Sequence, residues 1–239
     1  MLRLFIGLSL FTSCIAQAAD RDKPAPPPAE DPALKKQLEA IDARAGKIKD
    51  FTADFRQEKF TSLLKKPLVS SGTVRVSGTV IRWDTQKPEP AVLYSDGREV
   101  RMYYPDQTLL EIYTIGQRLG ALASSPLPRL ATLRKHFTLA RSDGKSFQPP
   151  KDRQVLPLRL VPIDESLREH VQQIDVLLDV EAAHILELEM VDADGDRTHV
   201  NFSAVRLDTG IKPRDLELTV PEDTTVSRPL DLKETSEGD

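Results

Sequence analysis

The sequence predicts a mainly β (α+β) fold: one large antiparallel sheet of about eleven strands, wrapped around an apolar interior and covered by an N-terminal helix and a short helical lid. Three observations carry this. A single segment, residues 32–49, repeats its apolar residues at helical spacing. From Asp50 onward the period drops to two, and the apolar runs are separated by short turns containing Gly, Pro or Asp. Each run has one apolar and one polar side, so a sheet of that size must close its apolar face around its own side chains, the helix or a ligand.

The first eighteen residues precede the fold. Met1-Leu2-Arg3 gives a positive start, Leu4 to Ala16 carries no charge, and Ala16-Gln17-Ala18 is the small-x-small pattern of a signal-peptidase site. Residues 1–18 read as a cleaved secretory signal whose apolar run is too short to span a bilayer. Cys14, the sole cysteine, follows Phe11-Thr12-Ser13, a poor version of a lipoprotein-processing box. It reads as an apolar residue of a discarded signal. The alternative is acylation of Cys14, with the Pro-rich run Arg21 to Pro32 as a stiff tether. Residues 19–31 form a Pro-rich linker, 32–230 one domain, and 231–239 a polar tail.

Asp31 is placed to cap the helix and Pro32 to occupy its first turn. Leu34, Leu38, Ile41, Ala45 and Ile48 then make one apolar stripe. Phe51, Ala53 and Phe55 alternate with Thr52, Asp54 and Arg56, which starts a strand reaching Phe60. The strands that follow are Val69 to Val76, Thr79 to Asp84, Ala91 to Tyr94, Glu99 to Tyr104 and Leu109 to Ile115. A second series comprises Phe137 to Arg141, Leu156 to Val161, Gln172 to Val180, Ile185 to Val191, Thr198 to Val205 and Asp215 to Val220. Ser77-Gly78, Asp96-Gly97 and Asp194-Gly195 suit tight hairpin turns. Residues 116–136 interrupt the series, with Leu127, Leu130 and Leu133 on one side of a short helix that forms the lid.

The apolar sides predict what lines the interior. From the helix come Leu38 and Ile41. From the strands come Phe51, Phe55, Ile81, Trp83, Leu93, Val100, Met102, Leu110, Ile112, Leu186, Leu188 and Phe202. From the lid come Leu122 and Leu130. The carboxylates of Asp175 to Glu181 are expected on a solvated outer face.

Composition narrows function by exclusion. A net charge of −4 with both signs interspersed argues against nucleic acid as a partner. One cysteine allows neither an internal disulfide nor a Cys-type zinc site. None of the four histidines (His136, His170, His184, His199) lies in a nucleophile-elbow or HExxH context, and there is no GxGxxG or P-loop. Asp192-Ala193-Asp194-Gly195-Asp196 begins like a calcium loop. However, Arg197 stands where that loop needs glycine and Ser203 where it needs glutamate, so a hairpin turn is expected. No catalytic residue, cofactor or metal is predicted, and the chain reads as a non-enzyme.

Six segments in matching order and spacing resemble one family. They are Phe51-Thr52-Ala53-Asp54-Phe55-Arg56-Gln57; Ser71-Gly72 with Arg82-Trp83-Asp84 and Lys87-Pro88; Tyr94-Ser95-Asp96-Gly97 with Tyr103-Tyr104-Pro105; Val191 to Thr198; Phe202-Ser203-Ala204-Val205; and Leu218-Thr219-Val220-Pro221. Together, over about residues 33–229, they resemble the LolA family of periplasmic lipoprotein carriers. That resemblance implies an incomplete antiparallel barrel whose helices cover an apolar cavity. It implies a periplasmic monomer that takes lipoprotein or other acylated cargo from an inner-membrane exporter and passes it to an outer-membrane acceptor. Related half-barrels serve as envelope sensors, so a scaffold that binds a protein partner without moving lipid is the alternative.

One departure bears on the lid. The family usually carries an Arg-Pro pair after the second strand's glycine, and that arginine hydrogen-bonds the lid. Here the stretch is Val76-Ser77-Gly78-Thr79, with neither residue. The expectation is a lid held mainly by apolar contacts, with cargo that extends to glycolipid, sterol or pigment lipids.

Overall fold

The computed structural model describes residues 31–113 and 125–228. The expected signal and tail, the first part of the lid and Leu122 lie outside the described residues.

Helix α1 spans Pro32–Ala45, with the Asp31 carboxylate accepting from the Ala33 amide (2.9 Å) and Pro32 in the first turn. Its stripe of Leu34, Leu38, Ile41 and Ala45 is buried. The helix stops one turn before the predicted end. The Lys49 amide donates instead to Asp208 (2.7 Å), which draws the chain into the first strand and leaves Ile48 half-buried.

The strands are β1 (Asp50–Phe60), β2 (Leu68–Ser77), β3 (Val80–Lys87), β4 (Ala91–Ser95), β5 (Val100–Tyr104), β6 (Leu109–Tyr113), β7 (Phe137–Arg141), β8 (Val155–Pro162), β9 (Val171–Asp179), β10 (His184–Asp192), β11 (Arg197–Leu207) and β12 (Thr225–Ser227). They form one sheet in the order β12-β6-β5-β4-β3-β2-β1-β11-β10-β9-β8-β7. All neighbours are antiparallel except β12, which adds to β6 in parallel. β7 and β12 are the two edges and do not pair with each other, so the barrel is incomplete.

Antiparallel order sends the connections alternately to two ends. At one, here the base, lie the α1–β1 junction and the turns β2–β3, β4–β5 and β9–β10. At the other, the rim, lie the loops β1–β2, β3–β4, β5–β6, β8–β9 and β10–β11. The base is filled: Phe51, Val74 and Leu178 have no exposed surface, and α1 packs into the same cluster. Asp50 ties the base together, its carboxylate accepting from the Thr209 amide (2.8 Å), the Thr209 hydroxyl (2.6 Å) and the Gly210 amide (2.8 Å).

The predicted strand Asp215 to Val220 is not a strand. Pro213 starts a 3-10 turn, Pro213–Leu216, closed by Lys212 and Asp215 as a capping box, and the chain then runs on without ladder pairing. The alternation of Leu216, Leu218 and Val220 has a different use. Leu216 and Leu218 pack on Val80 and Tyr94, while Leu218 and Val220 pack on Tyr103, Leu110 and Ile112. The segment straps the outer side of β3 to β6.

That strap corrects the assignment of faces on β6. Met102 pairs with Glu111, and Tyr103 pairs with Leu110, so Glu111 faces inward while Leu110 and Ile112 face outward beneath the strap. The Tyr113 hydroxyl donates to Glu111 (2.7 Å), which with burial pushes the Tyr113 pKa up to about 12. Leu186 is corrected in the same way. A bulge between Ile185 and Glu187 resets the alternation, keeps Ile185 and Leu188 inside, and turns Leu186 outward onto Phe147 and Leu177.

The acids of β9 are not solvated either. Asp175 is 2% exposed and held by two bonds from Arg159 (2.8 and 3.0 Å), and Asp179 is 4% exposed beside Arg153 (3.2 Å). Hydrogen-bonded ion pairs make that burial tolerable. His199 joins Glu187 at 3.1 Å on the same side, and that bond raises the His199 pKa.

Candidate apolar binding cavity

Inside the half-barrel, toward the rim, is a cavity of about 350 Å³. Its wall is mostly apolar. Phe55 comes from β1, Trp83 from β3, Leu93 from β4, Met102 from β5 and Phe137 from β7. Val171 and Ile174 from β9, Leu188 and Met190 from β10, and Val200 from β11 complete the strand wall. Leu167, from the short helix Glu165–Arg168 between β8 and β9, closes one side.

Register explains how one wall is assembled from distant sequence. Phe55 pairs with Phe202 on one side and Gly72 on the other, while Trp83 pairs with Val74 and Leu93, and Leu93 with Met102. Directly paired residues share a face, so the wall follows from the ladder. Phe55 meets Trp83 edge-on with ring centroids 4.7 Å apart, and Trp83 lies 5.7 Å from Phe202. Gly72 lets the backbone of β3 approach closely beside that cluster: a Cβ there would stand 1.9 Å from the Asp84 carbonyl oxygen.

Polar lining is confined to Gln57, Ser70, Thr85 and Thr198. Each stands rimward of an apolar residue two positions away on its strand: Gln57 beyond Phe55, Ser70 beyond Gly72, Thr85 beyond Trp83 and Thr198 beyond Val200. Along β3, β2, β1 and β11 the cavity therefore grades from apolar depth to an uncharged polar edge that offers hydroxyls and an amide, while Val171 of β9 and Met190 of β10 keep the facing edge apolar.

Of the residues predicted to line the interior, Phe55, Trp83, Leu93, Met102 and Leu188 border the cavity. Leu38, Ile41, Phe51, Ile81, Leu130 and Phe202 belong to the packed core beside it. Val100 is buried, on the inward face through its pairing with Ser95. Leu110, Ile112 and Leu186 are on the opposite face, as described above. The polar rim was missed, although its signal is simple: extending each strand's inward alternation by one step reaches it. Phe137 and Leu167 sit on elements too short for their orientation to be read from spacing.

The described part of the lid is held by more than apolar contact. Leu130 is 1% exposed, and Leu127 and Leu133 pack on the same core. In addition, the Asp42 carboxylate of α1 accepts from the amides of Leu130 (2.8 Å) and Ala131 (2.7 Å) at the start of the short helix Leu130–Leu133. Arg129 donates to the carbonyl of Gly78 (2.7 Å) in the β2–β3 turn. The turn that lacks an arginine thus receives one from the lid. Over the described part of the lid, these polar contacts add to the apolar closure expected from the sequence.

An open twelve-stranded sheet, antiparallel except at β12, curled around a helix and an apolar cavity defines an incomplete β-barrel. The model of the family described as outer membrane lipoprotein carrier protein LolA matches residues 46–214, and the chain belongs to that family. Among similar curated proteins is an outer-membrane lipoprotein carrier protein of Dechloromonas aromatica. It is 23% identical over 173 residues, which are 71% of this chain and 76% of that protein. Another of that name, from Methylobacillus flagellatus, is 26% identical over 143 residues, 59% of this chain and 63% of its own. A conserved protein of Thermus thermophilus with a solved structure shares the fold at a TM-score of 0.52 and 13% identity, covering 82% of this chain and 99% of its own.

Proposed function

We propose that the chain is a periplasmic carrier that binds the acyl chains of lipoproteins or related lipids in this cavity and moves them toward the outer membrane. An inner-membrane exporter supplies the cargo and an outer-membrane acceptor removes it. The work is binding and release by a monomer, with no chemical step. The observation that carries this reading is the graded cavity. An acyl tail fits the wall of Phe55, Trp83, Leu93, Met102 and Leu188, and the ester or amide linkage of an amphiphile fits Gln57, Ser70, Thr85 and Thr198. Each buried methylene contributes about 0.8 kcal/mol, so roughly ten of them give about 8 kcal/mol before ordering costs. The names of the curated relatives support the same class of cargo.

Native mass spectrometry and lipid extraction of protein purified without detergent test it. Bound acyl material is expected; an empty protein that also ignores hydrophobic dyes would overturn it. Cross-linking in the periplasm tests direction. Capture of an inner-membrane exporter supports transport, whereas a single stable signalling partner supports the sensor reading.

A further inference from the structure

The large apolar side chains that the described structure leaves exposed are Leu63, Leu64, Leu68, Val69, Val161, Ile163 and Val226. All of them lie on segments at the rim. Leu63, Leu64, Leu68 and Val69 are in or beside the β1–β2 loop, Val161 and Ile163 are where β8 ends, and Val226 lies beside the start of β6. Leu63 is 90% exposed and Leu68 55%. Singly exposed apolar residues are ordinary, but their confinement to one end of a barrel is not.

The β1–β2 loop is also basic. From Phe60 to Leu68 the sequence Phe-Thr-Ser-Leu-Leu-Lys-Lys-Pro-Leu has two lysines and no acid. Register links the loop to the cavity. Leu68 shares the inward face of β2 with Ser70, which lines the cavity, and stands one pleat closer to the rim. From Gln57 to Phe60 at the end of β1 the chain advances about 10 Å, so the loop begins beyond the polar edge of the cavity. Beyond the polar Gln57 and Ser70, exposed apolar surface thus resumes at Leu68 and continues to Leu63 and Leu64 at the loop tip, with Lys65 and Lys66 beside it.

We infer that the tip of this loop docks on an anionic lipid surface and stands the rest of the rim off it, since the neighbouring rim loops carry acids (Asp106, Asp164, Glu165, Glu169, Asp194 and Asp196). Leu63 and Leu64 enter the headgroup–acyl boundary, and Lys65 and Lys66 meet lipid phosphates. This pairing of apolar tip and adjacent lysines is what an interface rich in anionic lipid selects. It rests on the carrier reading and deepens it: the docked loop would hold the cavity mouth at the membrane surface where exporter and acceptor stand.

The test is co-flotation with protein-free vesicles, of phosphatidylethanolamine alone or with phosphatidylglycerol. It uses the secreted chain in a Cys14→Ala background, with its N-terminus verified by intact mass, so that neither signal nor acyl anchor contributes. Binding is expected to favour the phosphatidylglycerol vesicles and to weaken with salt. Leu63→Asp/Leu64→Asp should reduce partitioning roughly tenfold or more. Lys65→Gln and Lys66→Gln should each reduce it roughly fivefold on the anionic vesicles and little on the neutral ones. These residues are exposed, so folding and fluorescent fatty-acid binding should stay unchanged, which separates this test from that of the carrier reading. The inference is overturned if the parent chain does not float. It is also overturned if the Leu63/Leu64 double variant floats equally well, or if binding appears only when a membrane protein is incorporated in the vesicles.

Discussion

The base and the rim of this half-barrel are built from the same twelve strands, yet they are finished differently. At the base, α1 fills the interior, Phe51 and Leu38 have no exposed surface, and Asp50 gathers three hydrogen bonds that join β1 to the chain after β11. At the rim, the strands end in an apolar cavity, an arc of uncharged polar side chains on β3, β2, β1 and β11, and exposed leucines. Stability is concentrated where the interior is full, and binding capacity where it is left incomplete. A barrel can afford an unfilled end only because the other is over-determined.

Substitutions at the base should therefore damage folding and spare binding per folded molecule. The largest effect is expected for Leu38→Ala, which empties a fully buried site of the α1 stripe. Unfolding in urea should show a loss of about 2–5 kcal/mol, with fatty-acid stoichiometry unchanged in the folded fraction. A stoichiometry that fell with stability would erase the distinction between the ends.

Gly72→Ala tests the boundary between them. The added methyl collides with the Asp84 carbonyl, so β2 and β3 must part beside Phe55 and Trp83. Overpacking of this kind costs about 1–3 kcal/mol. Here stability and binding should fall together, seen as a lower melting temperature and a changed Trp83 emission.

Acid should unlock the base first. Burial alone would raise the pKa of Asp50, but the bonds from Thr209 and Gly210 outweigh it and hold the carboxyl below its ordinary value. A carboxyl with a lowered folded-state pKa contributes stability that is fully present above its unfolded value, about 3.9, and is lost as pH falls through the folded value. Melting temperature should thus decline below about pH 4, and Asp50→Asn should flatten that decline while lowering stability at pH 7 by about 1–2 kcal/mol. An identical acid profile in the variant would place the acid-sensitive group elsewhere.

A smaller effect is expected at the lid. Asp42→Ala removes the acceptor for the Leu130 and Ala131 amides, a change of about 1 kcal/mol. Hydrogen exchange should quicken at those two amides, and cargo should enter faster at nearly unchanged affinity.

Much of this contrast was legible in the sequence. The α1 stripe and the period-two runs of β1 to β5 gave elements and inward residues, because a side chain's face follows from alternation once one neighbour is placed. Alternation could not say which face of β6 points inward, since the outer side is apolar too, covered by Leu218 and Val220. Nor could it show the bulge at Ile185, which moves Leu186 outward through a backbone irregularity with no residue signature. The segment from Asp215 to Val220 has a strand's alternation but lies on a sheet's face instead of its edge, and periodicity does not distinguish the two. The cavity itself depends on which strands become neighbours. Trp83 and Phe202 meet with ring centroids 5.7 Å apart although two strands, β2 and β1, lie between β3 and β11.

The central claim is that cargo occupies the inward face at the rim. The most direct test compares two adjacent residues of β3 by titration with a fluorescent fatty acid. Trp83 lines the cavity, whereas Arg82 lies on the outer face, bonded to Asp84 (2.9 Å) and to the Glu217 carbonyl (2.9 Å). Trp83→Arg places a charge in the apolar wall and should weaken binding roughly hundredfold. Arg82→Ala should leave affinity within about twofold, since it loosens only the outer strap. Equal losses, or a greater loss for Arg82→Ala, would contradict the cavity as the binding site.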